Sequence, residues 1–186
     1  MKTALIILDM AKGYGWEPGS FGYEMVAKVK ELKDAAHAVE APVIHVNSLR
    51  RKSDNVGDWN KVLMKEKTDA VDVIPELQPV DDDIIVYKRY LSGFSYNDLD
   101  YVLRTLNCDT VLIAGASTDN TVLWTSADAF QLRYKVVVVE DCTMVHRENE
   151  PAEVKEYALR IIRNVLHSQV MPLADAVQNY IKPMAK

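Results

Sequence analysis

Apolar residues in this chain gather into short unbroken runs, separated by longer stretches with helical spacing. Residues 4–8 are all apolar and stop at Asp9, which predicts a strand buried on both faces. The glycines and Pro18 of residues 13–19 predict a loop. Met25, Val29, Leu32 and Ala36 then recur on one helical face, predicting a helix over 23–39. A second strand is expected over 42–46. Residues 47–67 are polar, charged and poorly periodic, so they read as a long loop with at most one short helical piece; loops that long are often functional. A third strand over 84–87 ends at Lys88, and a short helix over 99–106 has Asn97 or Asp98 to cap it. A fourth strand over 110–114 is closed by Gly115. The Ser-Thr-Asp cluster that follows opens a helix over 119–132. A fifth strand over 136–139 ends at Glu140 and Asp141, and a helix over 150–166 is entered through Pro151. A short strand over 169–171 and a helix over 174–180 complete the pattern.

Nearly all-apolar strands alternating with helices imply an α/β fold, doubly wound, with a mostly parallel six-stranded sheet and helices on both faces. The length of 186 residues suits one domain over 1–186, and no repeat or linker interrupts it. The net charge of -5 and pI near 5.4 argue against nucleic acid, which favours a basic face. The two cysteines, Cys108 and Cys142, fit neither a metal spacing nor a disulfide framework. No apolar stretch is long enough to cross a bilayer, and the opening run is too short for a signal peptide. The expectation is a cytoplasmic protein with reduced thiols, acting on a small molecule without a cofactor.

Ligands of an open parallel sheet bind outside the carboxyl ends of its strands. Asp9 follows the first strand and Lys88 the third. After the fourth comes residues 115–121, a turn rich in exposed amides that runs into a helix N-terminus. Each has a plainer reading: Asp9 as a loop cap, Lys88 and Arg89 as a solvated pair, the turn as simple capping by Thr118 or Asp119. Convergence at one sheet edge favours a site.

These segments also carry a family resemblance. Residues 5–10 (LIILDM), 83–94 (DIIVYKRYLSGF), 97–104 (NDLDYVLR), 115–122 (GASTDNTV) with 125–129 (TSADA), and 136–141 resemble, in order, the motifs of the isochorismatase-like cysteine hydrolases. That family includes nicotinamidases, N-carbamoylsarcosine amidases, ureide hydrolases and isochorismatases. The resemblance implies a Rossmann-like isochorismatase fold. It implies Asp9 as acid/base, Lys88 as its charged partner, and Thr121 at the nucleophile position. Backbone amides of Ser117 and Thr121 would form the oxyanion hole, with a cis peptide between Ala116 and Ser117. Such relatives are often dimers or larger, so a homo-oligomer is expected. Trp16, Phe94 and Trp124 are candidate walls of the substrate pocket, although Trp124 reads equally well as helix packing. A dry wall would favour the acid form of Asp9.

Three features depart from the family pattern. The nucleophile position holds Thr121 in place of cysteine, and an alcohol is far less acidic than a thiol of pKa about 8.5. The glutamine expected two residues after the aspartate is Ala11. The aspartate-histidine metal cluster of nicotinamidases is not visible; His45, at the end of the second predicted strand, reads as a packed core histidine or a lone ligand. Both cysteines read as buried and structural, Cys142 being the nearer to the site. Three functions stay open. One is a small-molecule hydrolase using Asp9 and Lys88 without covalent catalysis, as isochorismatases do. Another is an amidase or ureidase acting through Thr121. The last is a silent relative that binds a metabolite or a protein.

Overall fold

A computed structural model describes residues 2–51, 53–54 and 64–181. Six strands form one sheet: β1 (Thr3–Leu8), β2 (Val43–Ser48), β3 (Ile84–Lys88), β4 (Thr110–Ala116), β5 (Lys135–Met144) and β6 (Gln169–Met171). Their order is β3-β2-β1-β4-β5-β6, and every neighbouring pair is parallel. Five helices connect or follow them: α1 (Glu24–Ala38), α2 (Leu99–Thr105), α3 (Leu123–Gln131), α4 (Glu153–Asn164) and α5 (Leu173–Tyr180). The expected doubly wound α/β sheet is thus observed.

Alternation along β1 explains the two layers. Leu5 and Ile7 point to one face, where Val29, Leu32 and Ala36 of α1 and Ala176 of α5 cover them. Ile6 and Leu8 point to the other, against Leu99 and Leu103 of α2, Ala129 of α3, and Leu159 and Ile162 of α4. Burying each such Leu or Ile stabilises by about 1.5–3 kcal/mol. The chain steps from β1 outward to β3, returns to β4 beside β1, then proceeds the other way. A crevice therefore opens between the carboxyl ends of β1 and β4.

Gly115 lets those two strands close. Its φ is +107°, and a Cβ there would lie 2.1 Å from the Leu8 carbonyl oxygen. Leu8 pairs directly with Gly115, so the residues that follow, Asp9 and Ala116, lie side by side at the carboxyl edge of the sheet.

Several boundaries differ from the pattern-based reading. β2 runs on to Ser48 because its polar end pairs with β3, and Asn47 Nδ2 donates to the Val71 carbonyl at 3.0 Å. β5 extends to Met144, which takes Glu140 to Cys142 into the strand. The helix expected from 119 opens instead as a wide π turn over Thr118–Val122 before α3. Asn97 Oδ1, not Asp98, accepts the Leu99 amide at 3.1 Å. Short 3-10 turns occur at Asp69–Val71 and Pro75–Leu77, past the loop expected over 47–67. Residues 52 and 55–63 of that loop, with any helical piece there, lie outside the described residues. Among the described residues no helix is long and apolar enough to cross a membrane.

Candidate active site

Asp9 follows β1 directly, in the left-handed region at φ 53°, which aspartate tolerates better than most residues. Its buried carboxylate has divided duties. Oδ1 accepts the amide and the hydroxyl of Ser48, both at 2.9 Å. Oδ2 lies 2.9 Å from Lys88 Nζ and accepts the Thr121 hydroxyl at 3.0 Å. With Oδ1 occupied by the backbone end of β2, Oδ2 is the oxygen that meets the crevice.

Lys88 ends β3 and is 1% exposed. Besides Asp9 its ammonium donates to Ser48 Oγ at 2.8 Å and to the Tyr90 carbonyl at 3.0 Å, which uses its three donors. Burial pushes its pKa down, while the Asp9 carboxylate works against that fall. Ser48 is the hub that sequence reading missed. It pairs with Lys88 across the sheet, contacts Asp9, and its Oγ also takes the Tyr14 hydroxyl at 3.2 Å. The boundary error at β2 hid it, since a serine inside a supposed loop carries no signal.

The peptide between Ala116 and Ser117 is cis, as the resemblance implies. The Ser117 carbonyl accepts the amides of Asn120 and Val122, a capping pair that leaves out the amides of Ser117 and Thr121. Ser117 Oγ donates to Asp119 at 2.6 Å and accepts the His146 amide at 3.2 Å.

A cavity of about 510 Å³ opens over these groups, lined among others by Asp9, Trp16, Lys88, Ser117, Thr121 and His146. Trp16 is buried in its wall, with Nε1 donating to the Asp9 carbonyl at 3.2 Å. The other two aromatic candidates are not brought here. Phe94 packs on the α2–α4 side, stacked against Tyr134 with ring centres 6.1 Å apart. Trp124 is half exposed and lines a separate, open depression with Tyr90 and Leu91. Helical phase explains Trp124: the turn and helix that hold Thr121 and Thr125 inward turn it outward.

His146 and Arg147 complete the wall, and sequence reading missed them too. The His146 ring lies 4.0 Å from Trp16, and its Nε2 donates to the Tyr14 carbonyl at 2.9 Å. Arg147 bonds Asp119 at 2.6 Å and Glu150 at 2.8 Å. Both residues lie just past β5, whose extension to Met144 carries the chain to the crevice.

The remaining candidates lie apart. His45 sits in the middle of β2, not at its end, buried with Nε2 3.3 Å from Asp83. Cys108 and Cys142 are buried; burial pushes the Cys142 thiol up to about 12. Ala11 is buried in a bridge to Val73. Among the described residues no cluster of histidine, cysteine, aspartate or glutamate could hold a metal.

Known proteins share this architecture. An isochorismatase-like hydrolase from Alkaliphilus metalliredigens superimposes with a TM-score of 0.85 at 28% identity, over 96% of this chain and 98% of that one. The uncharacterised isochorismatase family protein YaaI of Bacillus subtilis is 27% identical over 90% of this chain and 92% of its own. A ureidoacrylate amidohydrolase of Agrobacterium fabrum is 27% identical over 76% of this chain and 75% of its own. The isochorismatase domain model matches residues 3–169. By sequence and by fold, this chain belongs to the isochorismatase family of hydrolases.

Proposed function

We propose that this chain hydrolyses a small carbonyl compound, an amide or ureide, with Asp9 as general base on water and Thr121 in a non-covalent role. The observation that carries this reading is Asp9 Oδ2, set between Lys88 Nζ at 2.9 Å and Thr121 Oγ1 at 3.0 Å on the cavity wall. With the Lys88 ammonium on one side and the Thr121 hydroxyl donating on the other, Oδ2 is placed as an acceptor of protons. That supports a base over the acid needed for a vinyl ether. Water gives one proton to Oδ2 as its oxygen bonds the carbonyl carbon. The oxyanion faces the amides of Ser117 and Thr121. The C–N bond then breaks, and Asp9 returns the proton to the leaving nitrogen. The amidohydrolase relative named above supports a C–N substrate.

Thr121 as nucleophile is the second reading, because a hydroxyl 3.0 Å from a carboxylate is also the geometry of a nucleophile and its base. Against it, an alcohol lacks the acidity that lets a thiol of pKa about 8.5 form a standing nucleophile, so attack by Thr121 asks as much of Asp9 as attack by water and adds an acyl-enzyme step.

The test is a hydrolase screen over amides, ureides and isochorismate with the wild type, Asp9→Asn and Thr121→Ala. The proposal expects Asp9→Asn to lose about 10²–10⁴-fold in rate. Thr121→Ala, which removes one hydrogen bond to a charged group, loses only about 10–100-fold. Equal, near-complete loss in both variants favours the threonine nucleophile. An Asp9→Asn enzyme as fast as wild type sinks both readings.

A further inference from the structure

Helix α4 has two apolar stripes. Ala158, Leu159 and Ile162 are buried. Tyr157, Ile161 and Val165, the last at the helix cap, recur at i, i+4 and i+8 yet stay 61%, 42% and 64% exposed. That spacing sets them in one row along the helix. A row of large apolar side chains in water marks a contact surface.

Charge beside the row is sorted by sign along the axis. Glu153 and Glu156 occupy the N-terminal half, Arg160 and Arg163 the C-terminal half. Arg163 is engaged within the chain, by Glu140 at 3.3 Å and Glu156 at 3.0 Å. Glu153 and Arg160 are exposed, and neither has an ion-pair partner among the described residues. Two helical turns apart, they lie on the same side of the apolar row.

We propose that this row seats a second copy of the chain, with the two α4 helices antiparallel about a two-fold axis near Tyr157. A parallel pair would set glutamate against glutamate. The antiparallel pair sets Glu153 of each copy against Arg160 of the other, twice, with the apolar rows between them. A self-complementary surface of this kind closes at two subunits. Phe130 of α3, a helix on the same side of the sheet as α4, is also exposed. None of these residues belongs to the active site, so the inference stands apart from the chemistry proposed above.

Sedimentation velocity on the full chain tests it, with Glu153→Arg, Arg160→Glu, the double reversal and Ile161→Asp. Each single reversal should raise the dimer dissociation constant about tenfold, equivalent to about 1.4 kcal/mol. The double reversal should return it close to the wild-type value. Ile161→Asp should give monomers with an unchanged circular dichroism spectrum; if that variant does not fold, the reversals decide alone. A wild-type monomer at every concentration overturns the proposal. So does a dimer indifferent to Ile161→Asp, or a double reversal weaker than either single.

Discussion

Asp9→Asn should destabilise the fold as well as slow the reaction, and the size of the loss follows from burial. Lys88 is 1% exposed, and Asp9 is its sole carboxylate partner within salt-bridge distance among the described residues. The variant leaves the ammonium bonded to Ser48 and Tyr90 but without a counter-charge. Removing one partner of a buried pair costs about 3–5 kcal/mol. For a chain of this size that corresponds to a fall in Tm of roughly 6–20 °C.

The pH dependence adds a sign. Burial already lowers the Lys88 pKa from its ordinary 10.5, and Asp9 opposes that fall. Without Asp9 the fall deepens. A lysine whose folded pKa lies below its unfolded value binds fewer protons when folded, so stability rises with pH between the two values. The deficit of Asp9→Asn is therefore largest near neutrality and shrinks as pH climbs toward 10.5. Adding Lys88→Met should recover most of it, because an apolar replacement of the whole pair leaves no orphaned charge. Urea unfolding at several pH values, with linear extrapolation, measures each step. A deficit below about 1 kcal/mol at neutral pH, or one that grows with pH, refutes the picture of a dry ion pair.

Three further outcomes are expected. Thr121→Cys should create a thiol that is alkylated with a pKa below the free value of about 8.5, because Lys88 and the helix N-terminus favour a thiolate; the wild type should stay inert to the reagent, since Cys108 and Cys142 are both buried. Ser48→Ala removes one bond to Asp9 Oδ1 and the acceptor of Lys88; it should slow turnover about 10–100-fold with KM little changed, as for loss of a hydrogen bond to a charged group, and an unaltered kcat would deny the hub role. Gly115→Ala would force a Cβ against the Leu8 carbonyl, so a loss of about 4 kcal/mol or more is expected in denaturant titrations.

The fold and the three corners of the candidate site were legible in one dimension for one reason. Buried parallel strands must be continuously apolar, and their ends are where the apolar run stops, so Asp9, Lys88 and the turn after Gly115 announce themselves. Where polar residues continue a strand, the signal fails. Asn47 and Ser48 look like loop, yet cross-strand pairing and the Asp9 carboxylate hold them in β2. For the same reason β5 was read as ending at Val139 although it runs to Met144, and His146 and Arg147 went unnoticed. Phe94 and Trp124 share their segments with site residues, but side-chain direction turns them from the cavity. The sequence by itself determined the element order, the parallel sheet and the kinds of groups at its edge, because burial pattern and chain direction are local. Tertiary structure alone decided which oxygen of Asp9 faces the crevice, that Ser48 joins Asp9 to Lys88, and that α4 keeps an apolar row in water. Each of these depends on distances between residues far apart in the chain, which no local pattern encodes.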